Sequence, residues 1–221
     1  GTSDWLMSVT HGDGLFVAVG WYGTVLTSLD GVSWTARSPA AGAAFRGVTY
    51  GDGLFVAVGD WGTILTSPDG VSWTAESSGT RATLLGVTHG DGLFVAVGRW
   101  GSILTSPDGV SWTVRSSETT YTLEGVTHGD GLFVAVGENG ISLTSPDGVS
   151  WTLRYTPGGA DLLDVTYGAG LFVAVGDWGT IVTSPDGVSW TRRSLWTRAP
   201  LYGVTHGGGL FVAVGEGGII L

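Results

Sequence analysis

The string GLFVAVG occurs six times, with its first glycine at Gly14, Gly53, Gly92, Gly131, Gly170 and Gly209. Successive copies stand 39 residues apart (53 − 14 = 39), and nothing is inserted between them. A period of that length marks a repeat architecture, in which each unit is one small supersecondary element that buries its apolar faces by stacking on its neighbours. A second string, TSPDGVSWT, recurs at 66–74, 105–113, 144–152 and 183–191, and at 27–35 with Leu29 in place of the proline. Six copies of the first string accompany five of the second, so the last unit is expected to be short of one strand.

Within one unit, LLGVTHG (84–90), LFVAVG (93–98), SILTS (102–106) and VSWTVRS (110–116) are β-branched and aromatic runs of strand length, separated by Gly- and Asp-rich turns. They are read as four strands, A to D. THGDGL closes A to B as a hairpin. SPDG closes C to D, with Pro107 presetting φ for a type I turn, Asp108 accepting from nearby amides and Gly109 in the left-handed position. Forty glycines spread along the chain rule out helix, since each costs about 1 kcal/mol inside one. The chain is expected to be all-β and one domain over residues 1–221.

Composition removes several chemistries. There is no cysteine, and all nine basic residues are arginines, which excludes thiolate nucleophiles, thiolate metal sites and Schiff-base lysines. A net charge of −10 argues against nucleic acid, whose binding rests on clustered Lys and Arg. No apolar run approaches the ~20 residues that cross a bilayer as a helix, and GTSDWLMSV at the start has neither a basic region nor a long apolar core. A soluble chain without membrane insertion, mature or recombinant, is expected.

SPDGVSW resembles the Asp-box of sialidase-type and photosystem-assembly-factor-type β-propellers, Ser-x-Asp-x-Gly-x-Thr-Trp, which lies between the third and fourth strands of a blade. The matching residues are Ser28, Asp30 and Trp34, and their equivalents Ser67, Asp69 and Trp73, Ser106, Asp108 and Trp112, Ser145, Asp147 and Trp151, and Ser184, Asp186 and Trp190. The turn here is one residue shorter, with glycine directly after the aspartate. The resemblance implies a β-propeller with strand A innermost. Five whole units make 20 strands and the last 26 residues add A, B and C, so six blades with the last lacking its outer strand are expected; a five-bladed ring with swapped or extra C-terminal strands is the alternative.

Because the units are so alike, their differences carry the information. One variable zone follows GLFVAVG: Trp21 and Tyr22, Asp60 and Trp61, Arg99 and Trp100, Glu138 and Asn139, Asp177 and Trp178, and Glu216 before Gly217. The other is the D-to-A connection, 39–44, 78–83, 117–122, 156–161 and 195–200, followed two residues on by Arg46, Leu85, Glu124, Leu163 and Tyr202. Antiparallel strands place the B–C and D–A connections at one end of each sheet and A–B and C–D at the other. Loops held on a rigid frame are where binding residues concentrate, and Trp, Tyr and Arg dominate binding hot spots. Packing of Trp61, Trp100 and Trp178 over the seams between blades is the competing structural account, and free drift of loops after duplication is the other.

The remaining candidates read as structural. The Asp-box aspartates and tryptophans form and pack the turn. His11, His89, His128 and His206 precede Asp13, Asp91, Asp130 and Gly208 by two residues, but Tyr50 and Tyr167 replace histidine in two units, and a metal ligand does not tolerate that exchange. Sialidase activity needs an arginine cluster, a Tyr–Glu pair and a catalytic acid in one cleft, whereas Arg37, Arg115, Arg154 and Arg193 recur at the end of strand D. The chain is therefore expected to be a non-enzymatic scaffold without cofactor or metal that binds a protein partner through the variable loops. Lectin-like multivalent glycan binding is the first alternative, and an engineered or recently amplified scaffold without a ligand is the second. A monomer is expected, with the incomplete last blade as a route to oligomers.

Overall fold

The computed structural model describes residues 2–37, 42–193 and 197–221. Among them are five four-stranded antiparallel sheets and one two-stranded sheet, each ordered as the chain runs. The A strands are Leu6–Gly12, Phe45–Gly51, Leu84–Gly90, Leu123–Gly129, Leu162–Gly168 and Leu201–Gly207. Each pairs with a B strand: Leu15–Gly20, Leu54–Gly59, Leu93–Gly98, Leu132–Gly137, Leu171–Gly176 and Leu210–Gly215. Short C and D strands complete blades 1 to 5. In blade 6 a single bridge between Val214 and Ile220 stands where strand C begins, so the residues beyond the fifth repeat form a sixth sheet of their own. The chain is all-β with propeller-type blades; the helical elements among the described residues are three-residue 3-10 turns.

Strand D is shorter than its sequence suggests: of VSWTVRS only Thr113–Arg115 pair with strand C. The preceding turn has taken the missing amides. Asp108 Oδ1 accepts from the amides of Val110 at 2.9 Å and Ser111 at 2.7 Å, and Trp112 Nε1 donates to the Gly109 carbonyl at 2.7 Å. An amide spent on a local carboxylate cannot join the ladder.

The molecule divides into two compact units, one of Gly1–Gly98 with Ser102–Arg115 and the other of Arg99–Gly101 with Ser116–Leu221. In the first, Val17, Val19 and Val25 of blade 1 pack on Phe45, Val48, Phe55, Ala57 and Leu65 of blade 2, and Val56, Val58 and Ile64 repeat that contact on Leu84, Phe94 and Ala96 of blade 3. In the second, Val134 and Val136 meet Leu162, Val165 and Phe172 of blade 5, and Val173 and Val175 meet Leu201, Val204 and Ala213 of blade 6. In these four contacts the earlier blade presents strand B valines, joined in three of them by a strand C valine or isoleucine (Val25, Ile64, Ile181), and the next blade presents an A-strand leucine or phenylalanine with a B-strand phenylalanine. Burying each such side chain contributes about 1.5–3 kcal/mol, which is why LFVAVG repeats without change.

The A–B hairpins add a second contact. Each His or Tyr at the sixth residue of strand A stacks on the phenylalanine opposite it, His89 on Phe94 with centroids 4.4 Å apart and Tyr167 on Phe172 at 4.6 Å. The same rings lie directly on glycines of the preceding blade: Tyr50 on Gly12, His89 on Gly51, Tyr167 on Gly129 and His206 on Gly168. A flat ring on bare backbone explains why Tyr and His exchange there.

Candidate functional site

After strand B each chain segment makes a three-residue turn, Trp21–Gly23, Asp60–Gly62, Arg99–Gly101, Glu138–Gly140, Asp177–Gly179 or Glu216–Gly218. Its first residue is tied down by a backbone bond to the D–A connection: Asp60 N donates to Ala44 O at 2.9 Å, Glu138 N to Thr122 O at 3.0 Å and Asp177 N to Asp161 O at 2.9 Å. The two variable zones therefore adjoin within blades 2, 4, 5 and 6. The second residue is left-handed, with φ of 57° at Tyr22, 59° at Trp61, 58° at Trp100, 56° at Asn139 and 57° at Trp178. Bulky side chains rarely adopt that backbone, which costs them about 1–3 kcal/mol, and such strain clusters at functional sites. The conformation also throws the side chain outward.

In the first unit Tyr22 is 77% and Trp61 78% exposed. Beside Trp61 lies an open hollow of about 400 Å³, floored by the following connection through Glu76, Ser78, Gly79, Thr80 and Arg81. Ser78 shapes that connection, its hydroxyl donating to Thr80 O at 3.2 Å while accepting from Thr80 N at 3.3 Å. The neighbouring turn is filled internally. Arg46 grips Asp60 with two bonds of 2.9 and 3.1 Å and lies over the Trp21 ring, 5.3 Å from its centroid, while Trp5 covers Trp21 at 5.1 Å.

In the second unit Trp100 is 70% and Trp178 71% exposed. Asn139 is also exposed, its backbone N–H donating to Asp161 Oδ1 at 2.7 Å. Glu138 is half-buried and accepts the Thr122 amide at 2.9 Å.

The residues singled out from sequence thus divide. Tyr22, Trp61, Arg99, Trp100, Asn139, Trp178, Tyr202 and Glu216 are exposed, whereas Trp21, Arg46, Asp60, Glu124, Glu138 and Asp177 are half-buried. Trp21, Arg46, Asp60 and Glu138 spend their side chains on internal contacts. Seam packing of Trp61, Trp100 and Trp178 is overturned by their exposure. Positions 39–41 and 195–196 of the connections lie outside the described residues. Trp5, 69% exposed, was missed; its signal is that it stands where blades 2 to 6 carry Ala44, Thr83, Thr122, Asp161 and Pro200, at the approach to strand A.

The opposite loops are self-satisfied. In the first C–D turn Asp30 Oδ1 accepts from Ser33 N at 2.7 Å, Val32 N at 2.8 Å and the Ser28 hydroxyl at 3.0 Å. The serine and valine amides, with the Ser28 hydroxyl, hold the Asp30 carboxyl down to about 2; the corresponding amides do the same for Asp69 and Asp108 and lower Asp147 and Asp186. His89 Nε2 meets Asp52 Oδ2 of the preceding blade at 3.1 Å, and no cluster of three metal-ligating side chains occurs among the described residues. Arg37, Arg115 and Arg193 each donate to a strand C threonine at 2.9 Å.

No protein-family model matches the chain, and no curated protein matches it in sequence. Solved structures share its fold. "YCF48 bound to D1 peptide" superposes with a TM-score of 0.79 at 17% identity, covering 100% of this chain and 77% of that one. YCF48 from Cyanidioschyzon merolae gives 0.63 at 20% identity over 99% and 95%. A catalytically inactive virginiamycin B lyase from Staphylococcus aureus with quinupristin gives 0.89 at 15% identity over 100% and 80%. These are β-propellers, and so is this chain. The last comparison corrects one expectation: an enzyme was excluded on the missing sialidase constellation, yet the fold is shared with a lyase, so the absence of one reaction's residues does not exclude catalysis on this scaffold.

Proposed function

We propose that the B–C and D–A loops recognise a protein segment, with Tyr22 and Trp61 as anchors in the first unit and Trp100 and Trp178 as anchors in the second. The carrying observation is that four B–C turns hold a large aromatic in left-handed backbone at 70–78% exposure. Strain that displays an apolar side chain to water stabilises nothing in the free chain and is consistent with a role in binding. The hollow beside Trp61 supports the reading, since it offers backbone and hydroxyl groups of residues 78–80 within reach of an aromatic wall. Charge supports a protein over a repeated sugar: the residue before the anchor is Trp21, Asp60, Arg99 or Asp177, so the four anchors do not share one charge setting. That a YCF48 structure holds a peptide accords with this use of the scaffold.

The test is a displayed-peptide library and a glycan array run on the intact chain and on the variant with Trp61→Ala, Trp100→Ala and Trp178→Ala together. Peptides retained by the former and lost by the latter, with an unchanged melting temperature, are the expected result. Glycans retained in their place select the lectin reading, and retention of nothing sinks both.

A further inference from the structure

The third residue of strand D is Arg37, Arg115, Arg154 and Arg193 in blades 1, 3, 4 and 5, but Glu76 in blade 2. Three of those arginines donate to a strand C threonine. Glu76 meets its threonine with the polarity reversed, the Thr66 hydroxyl donating to Glu76 Oε1 at 2.9 Å. Thr66 is buried and Glu76 half-buried, so the carboxylate is anchored on a fixed partner, and its second oxygen has no bond among the described residues. Glu76 lines the hollow beside Trp61. Asp60, next to Trp61 in the chain, is spent on Arg46.

Wall and floor of the hollow are held together within the first unit. A Cβ at Gly62 would strike the Thr80 carbonyl and the Ser78 hydroxyl, so the Trp61 turn rests directly on the connection that follows strand D. Gly79, with φ of 71° and nothing within 4 Å of a Cβ, adds no side chain to the space. The same unit shows what an indole and a carboxylate together accept: Arg46, second residue of strand A in blade 2, lies over the Trp21 ring and forks onto Asp60 with two bonds. In blade 3 that strand A position is Leu85, and it supplies no guanidinium to Trp61 and Glu76. Arg81, which also lines the hollow, is exposed and makes no ion pair among the described residues.

We infer that this hollow takes an arginine side chain of the bound protein segment, with the guanidinium flat over the Trp61 indole and its N–H fork on the Glu76 carboxylate. The inference rests on the reading of Trp61 as a protein-binding anchor and adds the chemistry of the residue it binds. A planar guanidinium stacks on an aromatic face and pairs with a carboxylate at the same time, which the point charge of a lysine does not. The chain's net charge of −10 draws a cationic segment toward it. Arg81 is a like charge, but it stands in water, where salt screens it over about 8 Å.

The test follows the Trp61 indole Nε1–H by NMR in the 221-residue chain, assigned by its loss in Trp61→Phe, as blocked Gly/Ser nonapeptides with one central arginine, lysine, citrulline or glutamate are added. The arginine peptide is expected to shift this signal, and the citrulline peptide, of the same shape without the charge, to bind at least about tenfold more weakly. Glu76→Gln keeps an acceptor for Thr66 and should leave the melting temperature unchanged while weakening the arginine peptide by a similar factor. Arg81→Ala should leave that peptide's binding unchanged or tighten it. An arginine peptide that moves nothing overturns the inference, as does one matched by the citrulline or lysine peptide or bound equally by Glu76→Gln. Capture of the glutamate peptide that Arg81→Ala removes overturns it in favour of an anion site. The protein-segment reading fails separately: a displayed library whose ligands need Trp61 but not Glu76 sinks the arginine and leaves the anchor standing, whereas a library that yields nothing sinks both.

Discussion

The Asp164 carboxylate accepts a hydrogen bond from the Val204 amide at 2.8 Å, joining strand A of blade 5 to strand A of blade 6. Ser8 does the same for the Val48 amide at 3.3 Å, while Gly47 and Gly125 occupy the equivalent position with neighbouring backbone close to where a Cβ would be. Asp164 also accepts the Val165 amide at 2.8 Å, yet burial outweighs both bonds and pushes its carboxyl up to about 6.

A folded-state pKa above the ordinary 3.8 means that this group's contribution is fully present below about pH 4 and is lost as pH rises through 6. Asp164→Asn removes this titration, although its single carbonyl oxygen can accept only one of the two amides. The stability of the variant relative to the parent is therefore expected to improve by about 1–3 kcal/mol between pH 4 and pH 7, whatever its offset at pH 4. Paired denaturant titrations at the two pH values measure it, and equal differences at both would contradict it.

The C–D turns act with the opposite sign. Their aspartates, held near 2 in Asp30, Asp69 and Asp108, contribute stability above about pH 4 that is lost as pH falls toward 2. The melting temperature should fall over that interval. Asp108→Asn should flatten part of the fall, because one acid-sensitive carboxylate is gone.

Trp61 tests the strain argument. Relief of left-handed backbone, about 1–2 kcal/mol, exceeds the entropy cost of glycine, about 0.5–1 kcal/mol, so Trp61→Gly should raise stability by about 0.5–1 kcal/mol while abolishing ligand capture. Trp61→Val should destabilise. A destabilised glycine variant would show that the indole contributes to packing after all.

Gly168 carries the ring of His206 directly on its backbone. Gly168→Ala forces apart two packed sheets and is expected to cost about 1–3 kcal/mol. Chemical denaturation of the variant, compared with the parent chain, reads the difference.

Strand content, the tight C–D turn and the end of each sheet that carries variation were legible from sequence, because they follow from local rules: period-2 alternation, glycine at left-handed positions and antiparallel chain reversal. The repeat supplied the comparison that made Trp61 and Trp178 stand out. Trp21 lies one residue earlier in the same kind of turn, and no local rule says that it stacks between Trp5 and Arg46. That arrangement depends on a strand A residue of the next blade, 25 positions on (46 − 21).

Burial shows the division most plainly. LFVAVG is written identically at Leu54–Gly59 and Leu210–Gly215, yet Val58 is 0% and Val214 46% exposed. The string by itself determined that both segments become strands with one valine face to hide. Whether that face is hidden was decided by what stacks on it, since removal of apolar surface from water is a property of two packed surfaces and not of either sequence.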